Sequence, residues 1–460
     1  MTSPSRTRSA IVLGGGLAGM LAAAALADQA ESVTVIERDH LPSAAAPRRG
    51  LPQARHAHLL YSGGARAIEG LLPGTHDQWI KAGARRVSLP TGLVTLTGQG
   101  WLRRWPETQY MIVCSRDLLD HVVRQQALAL PTVSLIDGAG VSRLTGDARR
   151  ITGVVIRDAS GTESRLEADL VVDATGRGSS APQWLAALGL PAVPERSVDS
   201  GLAYASRIFE APSGTDGFPV VGIQPDPRQP VPGQSATLLP IEDARWLVTL
   251  SGTRGGHPPK SEDEFVPFAR QVRHPLVGDL IADAQPLTDV HVTHSTVNRR
   301  RLYEKTRTWP AGFVVLGDAV ATYNPIYGQG MTVAAQSAAA LRRIVRACGL
   351  AAGIARDAQR AIGRIVQGPW DLATGQDILY PGATGQQPPA AAKLLRGYMD
   401  RLMLTATGRA ATSQALFDVI TLSAPLASLL APTTAIGVLR GPSRPPLTEP
   451  PLGKVSNPST

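Results

Sequence analysis

Apolar runs and glycine turns alternate through the first forty residues at element-sized spacing. Ser9 to Leu13 is an apolar run of strand length, Gly14 to Gly19 a glycine turn, Met20 to Asp28 an alanine-rich stretch, and Val33 to Glu37 a second β-prone run. This order predicts strand, turn, helix and strand, the opening of a βαβ unit. A polar, proline-bearing stretch from Pro42 to Arg55 follows, and apolar positions at helical spacing then predict an amphipathic helix from about His56 to Leu72. Short β-prone runs mixed with aromatics fill the segment from about 80 to 105, before a strongly periodic helix over Arg116 to Leu128.

Val133 to Ile136, Ile151 to Ile156 and Ala168 to Asp173 are further β-prone runs separated by polar turns, and they predict more sheet. Residues from about 198 to 295 are rich in proline and glycine, with β-runs such as Trp246 to Leu250. That composition suits an antiparallel insert. Gly312 to Asp318 then brings another strand and turn, with a helix starting at Gly328. The first unit is therefore expected to be discontinuous and closed by sequence far downstream. After about residue 345 the pattern is helical to about 440, and Pro442 to Thr460 is proline-rich and expected to be loose.

Composition narrows the class. Of 460 residues, 43% are apolar and 18% charged, enough to bury a sizeable core and too apolar for disorder over most of the length. The net charge of +9 comes mostly from scattered arginines, and with 5% aromatics there is no clustered basic run suited to nucleic acid. Cys114 and Cys348 build no disulfide framework and stand at no metal-ligand spacing, which suits a reducing compartment. The apolar stretch from Ala10 to Ala27 contains the three glycines and leads through Asp28 into a strand without a cleavage site, so it reads as neither membrane span nor signal peptide. A cytoplasmic location is expected.

The chemistry begins at Gly14-x-Gly16-x-x-Gly19, which follows a strand and opens a helix. The first glycine permits the tight turn, the second lets backbone approach a pyrophosphate, and the third packs helix on strand. Leu17 and Ala18, inside the turn, would offer N–H groups at the positive end of the helix. Glu37 ends the second strand, where an acidic residue suits the ribose of an adenosine lacking a 2′-phosphate, as in FAD or NAD. Arg38 beside it, and Arg49 and Gln53 in the polar stretch, are further cofactor-binding candidates. His56 and His58 stand two apart without a nearby third ligand, so no metal is expected.

Two later segments decide between the dinucleotides by resemblance. Gly317-Asp318-Ala319, continuing to Asn324-Pro325-Ile326-Tyr327-Gly328-Gln329-Gly330-Met331, resembles the signature of class A flavoprotein monooxygenases of the para-hydroxybenzoate hydroxylase type. The resemblance implies that Asp318 bonds the FAD ribityl or pyrophosphate region and that Pro325, Gly328, Gly330 and Met331 lie beside the flavin. Asp173-Ala-Thr-Gly176-Arg177-Gly-Ser179 resembles the family's middle motif, with threonine where aspartate is usual, and Arg116 stands where the family places an arginine on FAD phosphates or ribose. The implied fold is α/β: a Rossmann-like FAD-binding domain (1–75, 106–197 and 296–345), an inserted β-sheet substrate domain (76–105 and 198–295), a helical C-terminal segment (346–440) and a loose tail (441–460). By position, Trp101, Trp105 and Tyr204 are expected on the substrate side, and Tyr323, Asn324 and Gln329 nearer the flavin.

Arg48 to Leu60, Gly98 to Trp101 and Asn298 to Leu302 also resemble the corresponding stretches of bacterial polyketide epoxidases, the flavoenzymes of the lasalocid and monensin pathways. That resemblance implies FAD reduced by a transient NAD(P)H, reaction with O2 to a flavin C4a-hydroperoxide, and oxygen transfer to a polyene or polyketide intermediate, free or carrier-bound. Such transfer needs a dry pocket rather than a nucleophilic side chain, so no catalytic side chain is assigned. The Trp-x-Trp-x-Ile-Pro motif expected of a flavin halogenase is absent. The competing reading is a non-redox [4+2] cyclase of the spirotetronate type, in which FAD is a structural prop.

Overall fold

Strand Ser9–Leu13 forms the centre of a five-stranded sheet in a computed structural model that describes residues 8–294, 296–350, 353–387 and 390–453. The order is Phe313–Val315, Leu170–Asp173, Ser9–Leu13, Ser32–Ile36, Val133–Ile136, and every neighbouring pair is parallel. Strands of such a sheet are covered on both faces, which is why they read as continuous apolar runs. Helix Leu17–Leu26 buries nine of its ten residues, because helices Arg116–Leu128 and Gly330–Cys348 pack outside it. Its alanines let those neighbours approach closely. The edge strand Phe313–Val315 closes the sheet from far downstream, as a discontinuous domain requires.

A second sheet has seven strands in the order His291–Thr293, Ala203–Glu210, Arg245–Gly252, Gln234–Ile241, Val220–Ile223, Leu93–Thr97 and Gly100–Trp101. It is antiparallel except where Val220–Ile223 meets Leu93–Thr97. The two-residue period of the strands splits its faces. Ala205, Phe209, Leu238, Val248 and Leu250 build a separate core with Phe265 and Val277 from two short helices. On the opposite face Tyr204, Ser206, Ser235, Thr249 and Ser251 are buried as well, and they are polar. Beyond Gly349, helices Ile354–Asp377, Ala390–Gly408, Ala410–Ile420 and Pro432–Arg440 follow, and Thr384–Gly385 adds a short strand beside Glu195–Asp199. The α/β class with an inserted sheet and a helical C-terminal segment is the architecture observed. Among the described residues, no helix is long and apolar enough to cross a membrane.

Several local expectations need correction. The helix expected from His56 begins at Ser62, because the Ala57 N–H donates to Thr249 Oγ1 and both His56 nitrogens engage side chains of the second sheet. The later helix begins at Gly330, after a 3-10 turn over Pro325–Tyr327. Residues 76–84 pack with the first domain: Trp79 is buried in its core and donates to the Leu119 carbonyl at 3.2 Å. The tail expected to be loose is held over 441–453, where Arg104 donates to the carbonyls of Pro451 and Gly453 at 3.2 and 2.8 Å. Residues 454–460 lie outside the described part.

Candidate functional site

A cavity of about 620 Å³ runs from the glycine turn to the loop at 324–331. At its near end Gly14 adopts φ +97°, and a Cβ there would lie 2.7 Å from the Ala174 carbonyl oxygen. A Cβ at Gly19 would collide with the Gly14 carbonyl, so the helix rests directly on the turn. Helix Leu17–Leu26 opens at Gly16 with no side-chain cap, leaving its first N–H groups and positive dipole end for an anionic ligand. Gly14, Gly16, Leu17 and Ala18 line the cavity, while Gly19 stands behind it.

Glu37 lines the cavity with most of its acceptor capacity already engaged. Its Oε2 accepts the Gly15 N–H at 2.7 Å and Arg48 Nη1 at 3.2 Å, and its Oε1 accepts the Asp39 N–H at 3.0 Å. A carboxylate has about four lone-pair sites, so one direction remains for a ribose hydroxyl. Arg38 and Gln53 also line the cavity. Arg49 does not: Glu37 captures its neighbour Arg48 instead and leaves Arg49 exposed.

Farther along, Arg116 opens a helix capped by Ser115, whose hydroxyl accepts the Leu118 N–H at 3.2 Å. Its guanidinium pairs with Asp120 one turn on at 2.6 Å, which holds this buried arginine on the cavity wall. Asp318 stands open to the same space, yet the protein around it desolvates the carboxylate and raises its pKa against the lowering pull of Arg116, Arg177 and Arg299. Asp173 and Gly317, expected to touch the cofactor, do not line the cavity. Asp173 is fully buried and accepts from Thr175 and Ser179, so it shapes the turn that presents Gly176 and Arg177. Gly317 holds its turn close under Ala18.

At the far end Tyr323, Asn324, Pro325, Gly328, Gln329, Gly330 and Met331 line the cavity, and helix Gly330–Cys348 opens without a side-chain cap. This loop is fastened from behind by Asp377, the last residue of helix Ile354–Asp377. The buried Asp377 carboxylate accepts from Asn298 Nδ2 at 2.6 Å, Asn324 Nδ2 at 2.9 Å and Tyr327 Oη–H at 2.6 Å. Burial raises its pKa, and these donors oppose the rise. Tyr204, expected in the pocket, stands behind the same loop: its hydroxyl donates to Asn324 Oδ1 at 2.5 Å and accepts the Ile326 N–H at 2.8 Å. Trp101 lies edge-on to His274 in the second core, and Trp105 lies under Arg444 of the tail. Neither lines the cavity. Aromatic residues are recruited to packing as readily as to ligands.

Sequence reasoning missed Arg48, Arg177, His58 and Thr293 as lining residues. The His-x-His spacing was the available signal for His58, read there only as a metal question; for Thr293 no signal existed. His58 Nδ1–H donates to the His56 carbonyl at 2.8 Å, and burial lowers its pKa to about 3, so the ring is neutral at pH 7. FAD fits these residues. One uncapped helix start suits its pyrophosphate, Glu37 keeps a lone pair for its adenosine ribose, and the buried Gln329 Oε1 lacks a donor that a flavin ring N–H can supply.

A parallel sheet bearing a glycine turn, facing an inserted antiparallel sheet across one long cavity, defines a flavoprotein of the class A flavin-dependent monooxygenase type. The FAD binding domain family matches residues 7–352, and the chain belongs to that family, with FAD as its cofactor. The chain is 32% identical over 399 residues to Protein Rv3254 of Mycobacterium tuberculosis, covering 83% of this chain and 82% of that protein. It is 29% identical over 350 residues to kynurenine 3-monooxygenase of Salinispora arenicola, covering 72% and 70%. Among solved structures it is similar to PqsL of P. aeruginosa in complex with 2-aminobenzoylacetate, with a TM-score of 0.59 at 20% identity over 81% of this chain and 97% of that one, which shows a shared fold.

Proposed function

We propose that the protein is an FAD-dependent monooxygenase that uses NAD(P)H and O2 to epoxidise or hydroxylate a small molecule of the polyene or polyketide kind. The observation that carries this reading is the continuous cavity, which begins at a pyrophosphate-type helix start and ends between a second uncapped helix and the inserted sheet. FAD, when bound and reduced, supplies the oxygen-activating chemistry. The chain's residues bind, orient and exclude water. Gly14 to Ala18 and Glu37 would hold the adenosine and pyrophosphate, Arg116 and Asp318 the middle of the cofactor, and the loop from Asn324 to Met331 the ring. The backbone N–H groups at the start of helix Gly330–Cys348 would stabilise negative charge on the reduced ring. Kynurenine 3-monooxygenase among the relatives supports the reaction class, while the substrate assignment rests on the sequence resemblance to polyketide epoxidases.

The test is stopped-flow absorbance of the purified protein with NADPH and then O2. Bleaching of the flavin band followed by oxygen-dependent return is expected. A flavin that stays oxidised with both NADPH and NADH, even with candidate polyenes present, refutes the monooxygenase reading and leaves FAD as a structural prop of a cyclase.

A further inference from the structure

His56 is the joint of a hydrogen-bonded chain that the flavin reading leaves unused. Its Nδ1 lies 2.8 Å from Ser206 Oγ and its Nε2 2.8 Å from Thr293 Oγ1. Ser206 Oγ lies 2.6 Å from Thr249 Oγ1, which accepts the Ala57 N–H at 2.8 Å. Ser206 and Thr249 face each other across strands Ala203–Glu210 and Arg245–Gly252, and both are buried, as is His56. Of these four side chains, Thr293 alone lines the cavity.

A hydroxyl has one hydrogen to give and a neutral imidazole has one N–H, so the chain runs in one of two directions. In the first, Thr293 donates to Nε2, Nδ1–H donates to Ser206, and Ser206 donates to Thr249. Thr249 is then left with a buried O–H and no acceptor among the described residues, since Ala57 offers it a donor and Ser206 has spent its own hydrogen toward it. A stranded buried donor carries its full desolvation cost. In the second direction Thr249 donates to Ser206, Ser206 to Nδ1, and Nε2–H to Thr293 Oγ1. Every buried hydrogen is placed, and the hydrogen left over is the Thr293 hydroxyl's, at the cavity wall. A charged imidazolium would restore the first arrangement at Ser206, but burial, followed by His291 and Arg55, lowers the His56 pKa to about 4.

The geometry points to Thr293 as a specificity-determining hydrogen-bond donor that selects a carbonyl-type oxygen in the cavity, with His56 as the positioning residue that sets its direction. Assigning that oxygen to the substrate rests on the monooxygenase reading; the ring carbonyls of FAD share the same chemistry. The substrate class is thereby narrowed to an alkene-bearing molecule with a carbonyl, ester or carboxyl oxygen near the reacting carbon, as opposed to a plain hydrocarbon.

Nitrogen-15 NMR of histidine-labelled, FAD-loaded protein at pH 7 reads the direction of the chain. The His56 signal is assigned by its loss in His56→Gln or, if that variant does not fold, by its shift in Thr293→Val. Nε2 protonated and Nδ1 bare is expected; the Nδ1–H tautomer or an imidazolium overturns the proposal. The acceptor is then located with two probes of similar length, methyl sorbate and 2,4-octadiene, titrated against the bound-flavin absorbance. Wild type is expected to prefer the ester by at least about 10-fold, which is about 1.4 kcal/mol. Thr293→Ser keeps that preference and Thr293→Val loses it. If Thr293→Val instead shifts the flavin spectrum and weakens FAD binding with the probe preference intact, the donor serves the cofactor. No change in either refutes the donor role, and if neither diene perturbs the flavin, the tautomer decides. Failure of both NADPH and NADH to bleach the flavin would remove the monooxygenase reading while leaving the tautomer and probe results standing.

Discussion

Replacing Asp377 tests whether the C-terminal helical segment braces the flavin-facing loop. In Asp377→Ala four donors, Asn298 Nδ2, Asn324 Nδ2, the Tyr327 hydroxyl and Ser200, lose a shared buried acceptor. Each stranded donor costs about 1–3 kcal/mol, and water entering the space left by the carboxylate offsets part of the sum, so a net loss of about 3–5 kcal/mol is expected. Asp377→Asn is the informative control. Its amide oxygen, placed where Oδ2 stands, still accepts from both asparagines, and its NH2 can donate to the Tyr327 oxygen once that hydroxyl turns. A loss below about 1.5 kcal/mol follows for this variant. Urea unfolding of the apoprotein measures the stability term, and FAD titration of the same variants measures how far the loop has shifted. An Asp377→Ala loss under about 1 kcal/mol would refute the brace. Equal losses in the two variants would show that negative charge, rather than the count of acceptors, holds the loop.

Gly19→Ala drives a methyl group into the Gly14 carbonyl, and purified protein is expected to carry no flavin absorbance; near-stoichiometric FAD would contradict the close helix packing. Lowering the pH should destabilise the fold through His56 and His58, whose pKa values are lowered from 6.5 to about 4 and about 3, chiefly by burial. Below pH 6.5 the unfolded chain takes protons that the native state refuses, so stability is lost as pH falls, down to about 4 for His56 and about 3 for His58. Over about 1.5 pH units, from 6.5 to 5, each contributes about 2 kcal/mol. Unfolding free energies at pH 7 and 5 should show the drop, and His58→Gln should remove about half of it; an unchanged drop would contradict the assignment. Arg104→Ala releases the carbonyls of Pro451 and Gly453, so limited proteolysis should clip the tail faster while the melting temperature barely moves.

The parallel sheet and its first helix are legible in the sequence because each carries a strong local signal. Helix Arg116–Leu128 is readable to the residue, since Ser115 caps it and its apolar positions keep helical spacing. The start of the helix at Ser62 is hidden, because what unwinds His56 and Ala57 is a sheet contributed by residues 203–252. Near the cavity, the glycines of the turn, Glu37, Arg116 and Asp318 are readable from their places at element ends. Arg48 and Arg49 are indistinguishable by sequence, and tertiary pairing with Glu37 selects one of them. Tyr204 and Asp377 act through a loop remote from both in sequence, and no periodicity announces such a contact.

The discontinuity of the parallel sheet also sets the order in which the molecule can mature. Its edge strand, Phe313–Val315, and the helix that opens at Gly330 are synthesised after the whole inserted sheet, and Asp377 emerges later still. A chain on the ribosome therefore holds the glycine turn long before it holds the far wall of the cavity. Long-range closures of this kind are slow to fold and leave apolar strand edges waiting. Flavin capture then waits for the chain through residue 377, and chains stalled before that residue should fail to retain FAD even when the glycine turn is complete.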